Sequence, residues 1–455
     1  MAKIKVKEMT MIKPAAKTHR RTVWLSGLDL MNSDVHSPFV YFYKPNGASD
    51  FFNPAVLKEA LSKVLVSFYP MAGRFSLDSS GRLEIECNDE GALFVVAESS
   101  SVIGDFGDFT PTPDMRKLVP AVDYSGGISS YPFLVLQVTY FKCGGVSLGV
   151  GVEHRVVDGP AAFHFVNEWS NIARGLKLAI PPVFDRTIFC SRNPPQVVFN
   201  HFEYQLTPGT KTSQQSSITS TNSQSGVTSP TVSVFEITIE QLNVLKAKAK
   251  DDSNIVNYST YEILAGYFWK CASIARAIPN SQETRLHFAA NGRNLRLKPR
   301  PQPGYFGTAV FVATSAVVAS DLQSKPLWYA ASRIRETLVR MDDDYLRSAI
   351  DYLEFFPDTK RDGAHFYESP NFRVTSWMKM PLYEANFGWG RPFYVGPAAV
   401  MYEGKAFFIP TANKDGSLLL ILALQHEQME VFKKLFYEYY YNDVKQVRYS
   451  LRAKL

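Results

Sequence analysis

The stretch "GVGVEHRVVDGPAAFHF" (149–165) joins an alternating strand pattern to a helical one through a turn that carries a histidine and an aspartate. Upstream, Val146, Leu148, Val150 and Val152 alternate with Ser147, Gly149, Gly151 and Glu153. A period of two sends neighbours to opposite faces, so His154 continues the apolar row. Asp158 sits where a carboxylate can accept from the first free N–H groups of a helix. The helix itself reads through Phe165, Trp169 and Ile172 and stops at Gly175.

His154 has three readings. A packed core histidine beside a helix cap is the plainest. A metal ligand lacks partners: Asp158 is the one nearby donor, and no second His or Cys stands at metal spacing. A nucleophilic triad lacks a G-x-S-x-G context. The chemical role left is general base, in which the imidazole takes a proton from a hydroxyl or amine as it attacks a carbonyl. The stretch alone does not separate that base from the core histidine.

Outward from this unit the chain alternates strands and helices. "PAVLKEALSKVLVSF" (54–68) has helical spacing through Leu57, Leu61, Val64 and Leu65. "GRLEIEC" and "ALFVVAE" read as strands, and "FLVLQVTYFKCGGVSLGVGVEH" as a hairpin broken at Gly144 and Gly145. Residues 206–230 are nearly all Ser, Thr, Gln, Asn, Gly and Pro, a composition that builds no core and reads as a linker. It divides the chain into domains 1–205 and 231–455. The second half continues with strands at "VSVFEIT", "TAVFVATSAVVA" and "SLLLILALQ". Its helices fall at "TIEQLNVLKAKAK", "STYEILAGYFWKCASIARA" and "EQMEVFKKLFYEYYYND". The fold class is mixed α/β, and a ligand crevice is expected between the halves.

Composition narrows the function. With 45% hydrophobic and 20% charged residues, the 455-residue chain can bury sizeable cores. The net charge of +6 comes without a dense Lys/Arg block, which argues against nucleic-acid binding. Four scattered cysteines form no CxxC pair and suit a reducing compartment. The polar start and the lack of a long apolar run predict a cytoplasmic protein with no membrane span.

"TSWMKMPLYEANFGWGRPFYVGP" (375–397) is the second unusual stretch. Gly388 and Gly390 around Trp389 indicate a tight loop. Thr375 and Trp377, two apart on a strand, share a face and could donate hydrogen bonds to a developing oxyanion.

Together, "HRVVDG" and "NFGWG" at this separation resemble the BAHD acyltransferases of plants, over the whole chain length. "FYPMAGR", "DFGDFTP", "FKCGGVSLGVG", "YFGT", "DDDYLRSAIDY" and "TSW" point toward the hydroxycinnamoyl-CoA shikimate/quinate hydroxycinnamoyltransferases. The resemblance implies two chloramphenicol-acetyltransferase-like domains around a central solvent channel. It implies acyl-CoA as co-substrate, no bound cofactor, no metal, small-molecule substrates and a monomer. His154 would be the base, with Thr375 and Trp377 at the oxyanion. Asp158 would pair with an arginine, for which Arg293 is the candidate, and Gly159 would support the same turn. The segment holding Asn386, Gly388, Trp389 and Gly390 would shape the structure near the CoA channel, away from the chemistry.

Several positions depart from that pattern. Asn386 replaces an aspartate that normally forms a salt bridge, a small expected loss. Arg155 replaces the second histidine of the usual pair. His36, Phe39 and Tyr41 would line the acceptor pocket, but Phe39 stands where shikimate enzymes commonly carry serine. Asp362 falls where an arginine grips the acceptor carboxylate, with Arg361 one residue earlier. An aspartate there repels a carboxylate and attracts an ammonium. The expectation is hydroxycinnamoyl transfer to a hydroxyl or amine of an acceptor other than shikimate. If Arg361 or Arg373 takes over the carboxylate, the shikimate/quinate activity is retained. A non-catalytic binding protein of the same fold is the remaining alternative.

Overall fold

The computed structural model describes residues 3–205, 229–250, 256–294, 297–356 and 366–438. The 206–228 part of the expected linker, and both Arg361 and Asp362, lie outside the described residues.

Two six-stranded mixed sheets carry the fold. The first has the order β1 (Ile4–Ile12), β6 (Ala92–Ser99), β7 (Leu134–Tyr140), β8 (Val146–Glu153), β3 (His36–Tyr43) and β13 (Tyr394–Pro397). The β6–β7 pair is parallel and its other pairs are antiparallel. The second has the order β11 (Val310–Val318), β10 (Glu283–Asn291), β12 (Phe372–Ser376), β14 (Lys405–Pro410), β15 (Leu418–Leu424) and β9 (Thr231–Ile237). A small sheet joins β2 (Thr22–Trp24), β5 (Leu83–Glu86) and β4 (Arg74–Leu77).

The helices are α1 (Gly27–Leu30), α2 (Pro54–Ser67), α3 (Pro113–Arg116), α4 (Gly159–Ala173), α5 (Ile239–Lys248) and α6 (Thr260–Ala275). Then come α7 (Ala319–Ser324), α8 (Leu327–Arg340), α9 (Asp343–Phe355) and a closing helix over 426–438. α2 and α4 cover one face of the first sheet, and their apolar sides enter one core with Leu148, Val150 and Val152. α6, α8 and α9 cover one face of the second sheet around Leu286, Phe288, Phe372 and Val374.

The hairpin of β7 and β8 turns at Gly144, whose φ is +78°, a conformation that costs glycine little. Every residue of β8 is buried, so its alternation does not separate core from solvent. Its second face lies under the 115–119 segment, which joins a separate core with Val40 and Phe42. Gly149 permits that approach, because a Cβ there would collide with the Leu118 backbone.

The two halves exchange elements. β13, from the C-terminal half, pairs with β3. Trp377, Phe387, Trp389 and Phe407 sit in the first-sheet core, while Leu28, Phe189 and Tyr204 sit in the second. The halves are therefore interlocked through buried aromatic side chains, each worth roughly 1.5–3 kcal/mol of burial.

Candidate active site

β8 ends at Glu153, and His154 opens the turn that follows, half-buried. The turn is closed by Asp158, the N-cap of α4, whose carboxylate accepts from the Ala161 N–H at 3.1 Å. The same carboxylate is gripped by Arg293, whose two guanidinium nitrogens donate at 2.6 and 3.0 Å. The Ala309 N–H adds a fourth bond at 3.0 Å. Asp158 is 1% exposed and saturated by these four donors. Arg293 also donates to the carbonyls of Tyr305 and Gly307. The aspartate thus ties the histidine turn to the loops after β10 and before β11.

β12 presents Thr375 on the face opposite Phe372 and Val374, which enter the second core. Trp377 follows directly, and its N–H donates to Phe408. The Trp377 ring packs at 5.3 Å from Phe163 of α4, 5.5 Å from Phe407 and 6.4 Å from Phe39 of β3. The segment then runs along α4. Met380 fills the space beside Gly159, where a Cβ would lie 3.2 Å from its methyl carbon. Asn167 donates to the Pro381 carbonyl at 3.1 Å. The helix that begins at Asp158 is therefore the shared support of the histidine turn and of the Thr375–Trp377 segment.

Asn386 accepts from the N–H groups of Gly388 and Gly390 at 2.9 and 3.1 Å. Both glycines have φ above +100°. Asparagine keeps the acceptor oxygen that this turn uses and lacks only the charge. Trp389 is turned inward, donating from its indole to Asp50 at 3.2 Å, with its ring tilted 5.3 Å from Phe52. Glu384, in the same segment, pairs with Arg391 and Lys414.

The acceptor-pocket candidates separate. Phe39 and Tyr41 lie on the β3 face that packs toward Phe163. Tyr41 is fully buried, its hydroxyl has no partner among the described residues, and burial raises its pKa well above the ordinary value. His36 falls on the other face of β3, paired across the sheet with Glu153. Both its ring nitrogens are engaged, one by the Tyr124 hydroxyl and one by the Pro132 carbonyl, each at 2.8 Å. Burial lowers its pKa to about 4, so it is neutral near pH 7. The carbonyl fixes Nε2 as the protonated nitrogen, and Nδ1 accepts from Tyr124. Arg373 stands two residues before Thr375 on the same face, its guanidinium 5.1 Å from the Phe366 ring.

The sequence pattern did not single out Phe163 or Met380, which join the two motifs. Nor did it join Glu153 to Arg155, which form a buried ion pair at 2.8 Å. Glu153 occupied a place in the alternation that reads as solvent-facing. One other array has a triad's connectivity: Ser348, His201 and Glu203, linked at 2.9 Å each. Ser348 is fully buried and also accepts from the Val198 and Phe199 N–H groups. It is a buried structural network. Among the described residues no cluster of His, Cys, Asp or Glu has the makings of a metal site.

The Transferase family model matches residues 2–439. The chain is 52% identical over 439 residues to the shikimate O-hydroxycinnamoyltransferase of Nicotiana tabacum, covering 96% of this chain and 100% of that one. This chain belongs to the BAHD acyltransferases. A hydroxycinnamoyl-CoA:5-hydroxyanthranilate N-hydroxycinnamoyltransferase of Avena sativa is 45% identical, covering 95% of this chain and 99% of its own. Among solved structures, vinorine synthase superposes with a TM-score of 0.71 at 22% identity, covering 94% and 96% of the two chains. The BAHD chain is accordingly an acyltransferase with the chloramphenicol-acetyltransferase-like fold, from a family that uses acyl-CoA as co-substrate.

Proposed function

We propose that this BAHD enzyme transfers a hydroxycinnamoyl group, p-coumaroyl or caffeoyl, from CoA to a hydroxyl or amine of a small acceptor other than shikimate. His154 takes the acceptor proton as the nucleophile attacks the thioester carbonyl. The Thr375 hydroxyl and the Trp377 indole N–H donate to the tetrahedral oxyanion. Collapse expels the CoA thiolate, which takes up the proton held on His154. No step calls for a metal.

The observation that carries this reading is the occupation of Asp158. Its two oxygens accept four protein N–H groups, so it has no capacity left for substrate chemistry. Proton transfer in the motif then falls to His154. Support for the donor class comes from relatives whose names specify hydroxycinnamoyl transfer. The acceptor reading rests on Phe39, an aromatic face packed 6.4 Å from Trp377, and on the aspartate at 362. Four cysteines without disulfides suit a reducing compartment such as the cytosol.

The shikimate/quinate reading stands beside it because the 52%-identical relative is named for shikimate. Release of CoA from p-coumaroyl-CoA, compared across shikimate, spermidine and tyramine, separates the two. Faster release with an amine supports the proposal. Preference for shikimate overturns its acceptor half, and no release with any acceptor favours a binding protein.

A further inference from the structure

Immediately before and after His154, Glu153 and Arg155 meet in a buried polar cluster, with Glu153 Oε2 left without a partner among the described residues. Arg155 Nε donates to Glu153 Oε1 at 2.8 Å, and its Nη2 donates to the Tyr131 hydroxyl at 3.0 Å. The guanidinium lies 4.8 Å over the Phe75 ring. Glu153 is fully buried and Arg155 is 4% exposed. A buried ion pair between residues i and i+2 fixes the backbone of the residue between them, here His154. The next peptide is held too, since Arg186 donates to the Val156 carbonyl at 2.9 Å and pairs with Asp29. Asp158 and Arg293 pin the far end.

We propose that Glu153 and Arg155 are positioning residues for His154, holding its turn and setting how readily its ring takes up a proton. The inference rests on the reading of His154 as the base. Burying two charges is costly unless they are well paired, and a core of ordinary apolar residues would be at least as stable. A pair kept at this place, against the residue between its members, serves geometry and local potential.

The charged and titratable groups around the turn are Glu153, Arg155 and Asp158 from its own segment. Packed elements add Arg293, Arg186 with Asp29, and the group of His36, Tyr124, Tyr131, Arg116 and Asp34. His36 is neutral near pH 7 and burial raises the tyrosine hydroxyls to about 12, so they add no charge there. Removing the Glu153 charge leaves Arg155 uncompensated beside the histidine turn.

The test is Glu153→Gln, which keeps shape and a hydrogen-bond acceptor. An extra positive charge disfavours the imidazolium. The acid limb of kcat/KM for p-coumaroyl-CoA should therefore move to lower pH by about 0.5–1 unit. A purely structural role for the pair leaves that limb where it was, and an unmoved limb in folded Glu153→Gln overturns the proposal. Glu153→Gln combined with Arg155→Met restores the charge balance and removes the grip. Its limb should return to the wild-type position, with kcat at least tenfold lower and KM within about threefold. Wild-type kcat in that double variant also overturns the proposal, and it decides the matter if the single variant does not fold. His154→Ala, run in parallel, tests the underlying reading: near-normal turnover there removes the base, and this inference with it.

Discussion

Replacing Asp158 by asparagine probes whether this carboxylate supports the fold or takes part in the chemistry. Its Oδ1 accepts from Ala161 and Arg293, and its Oδ2 from Arg293 and Ala309. Asparagine can place its oxygen on one side only, so its amide group faces two donors on the other. Each buried donor left without an acceptor costs about 1–3 kcal/mol, and breaking a buried ion pair costs about 3–5 kcal/mol. We expect a loss of about 4 kcal/mol, because Arg293 is 17% exposed in the pair and keeps its two carbonyl partners. For a chain of 455 residues that is a fall of roughly 4 °C in melting temperature. The rate of CoA release should fall with stability, because the cap that holds the His154 turn is gone. Arg293→Met should reproduce both losses, and the double variant should fall short of their sum. Thermal melts and CoA release, measured well below each midpoint, decide the matter. An Asp158→Asn protein with wild-type stability and no turnover would refute the structural assignment. So would a fully active Arg293→Met.

Three further outcomes follow from the same geometry. Thr375→Ala should lower kcat by about 10²-fold with little change in stability, the size of one lost oxyanion donor, as read by steady-state CoA release. Asn386→Ala should cost about 1–2 kcal/mol by losing two bonds in a half-buried turn, whereas Asn386→Asp should stay within about 0.5 kcal/mol, both from melts. His36 links stability to acid: its folded pKa of about 4 lies below the unfolded value near 6.5, so the unfolded chain binds the extra proton between those values. Stability should fall as pH drops from about 6.5 to 4, by up to about 3 kcal/mol, and His36→Gln should flatten that part of the melting curve.

The alternation of Val146 to Val152 and the helical spacing from Ala161 to Ile172 are enough to place β8 and α4, because both elements bury one apolar row in a shared core. The same pattern misleads on Glu153. A strand covered on both faces still alternates when one face is filled by glycines and a paired carboxylate. Likewise the pairing of β13 with β3 is illegible in the chain, since four residues, two of them glycine and proline, give no register signal. At the site, His154, Asp158, Thr375 and Trp377 stand out because polar groups at the ends of apolar strands are uncommon. Phe163 and Met380 do not, since an aromatic and a methionine on apolar segments look like core, and here they are core that also joins two distant motifs. His36 carries a polar label that its burial and two internal hydrogen bonds explain without any ligand.

The proposed acyl transfer turns on His154 as its base. Its most direct test is the rate of CoA release from p-coumaroyl-CoA by His154→Ala, with an acceptor that the wild-type enzyme turns over and with the fold checked by circular dichroism. A base at His154 predicts a loss of about 10²-fold or more in a protein with a wild-type spectrum and melting point. Turnover near the wild-type rate in that folded variant would contradict it.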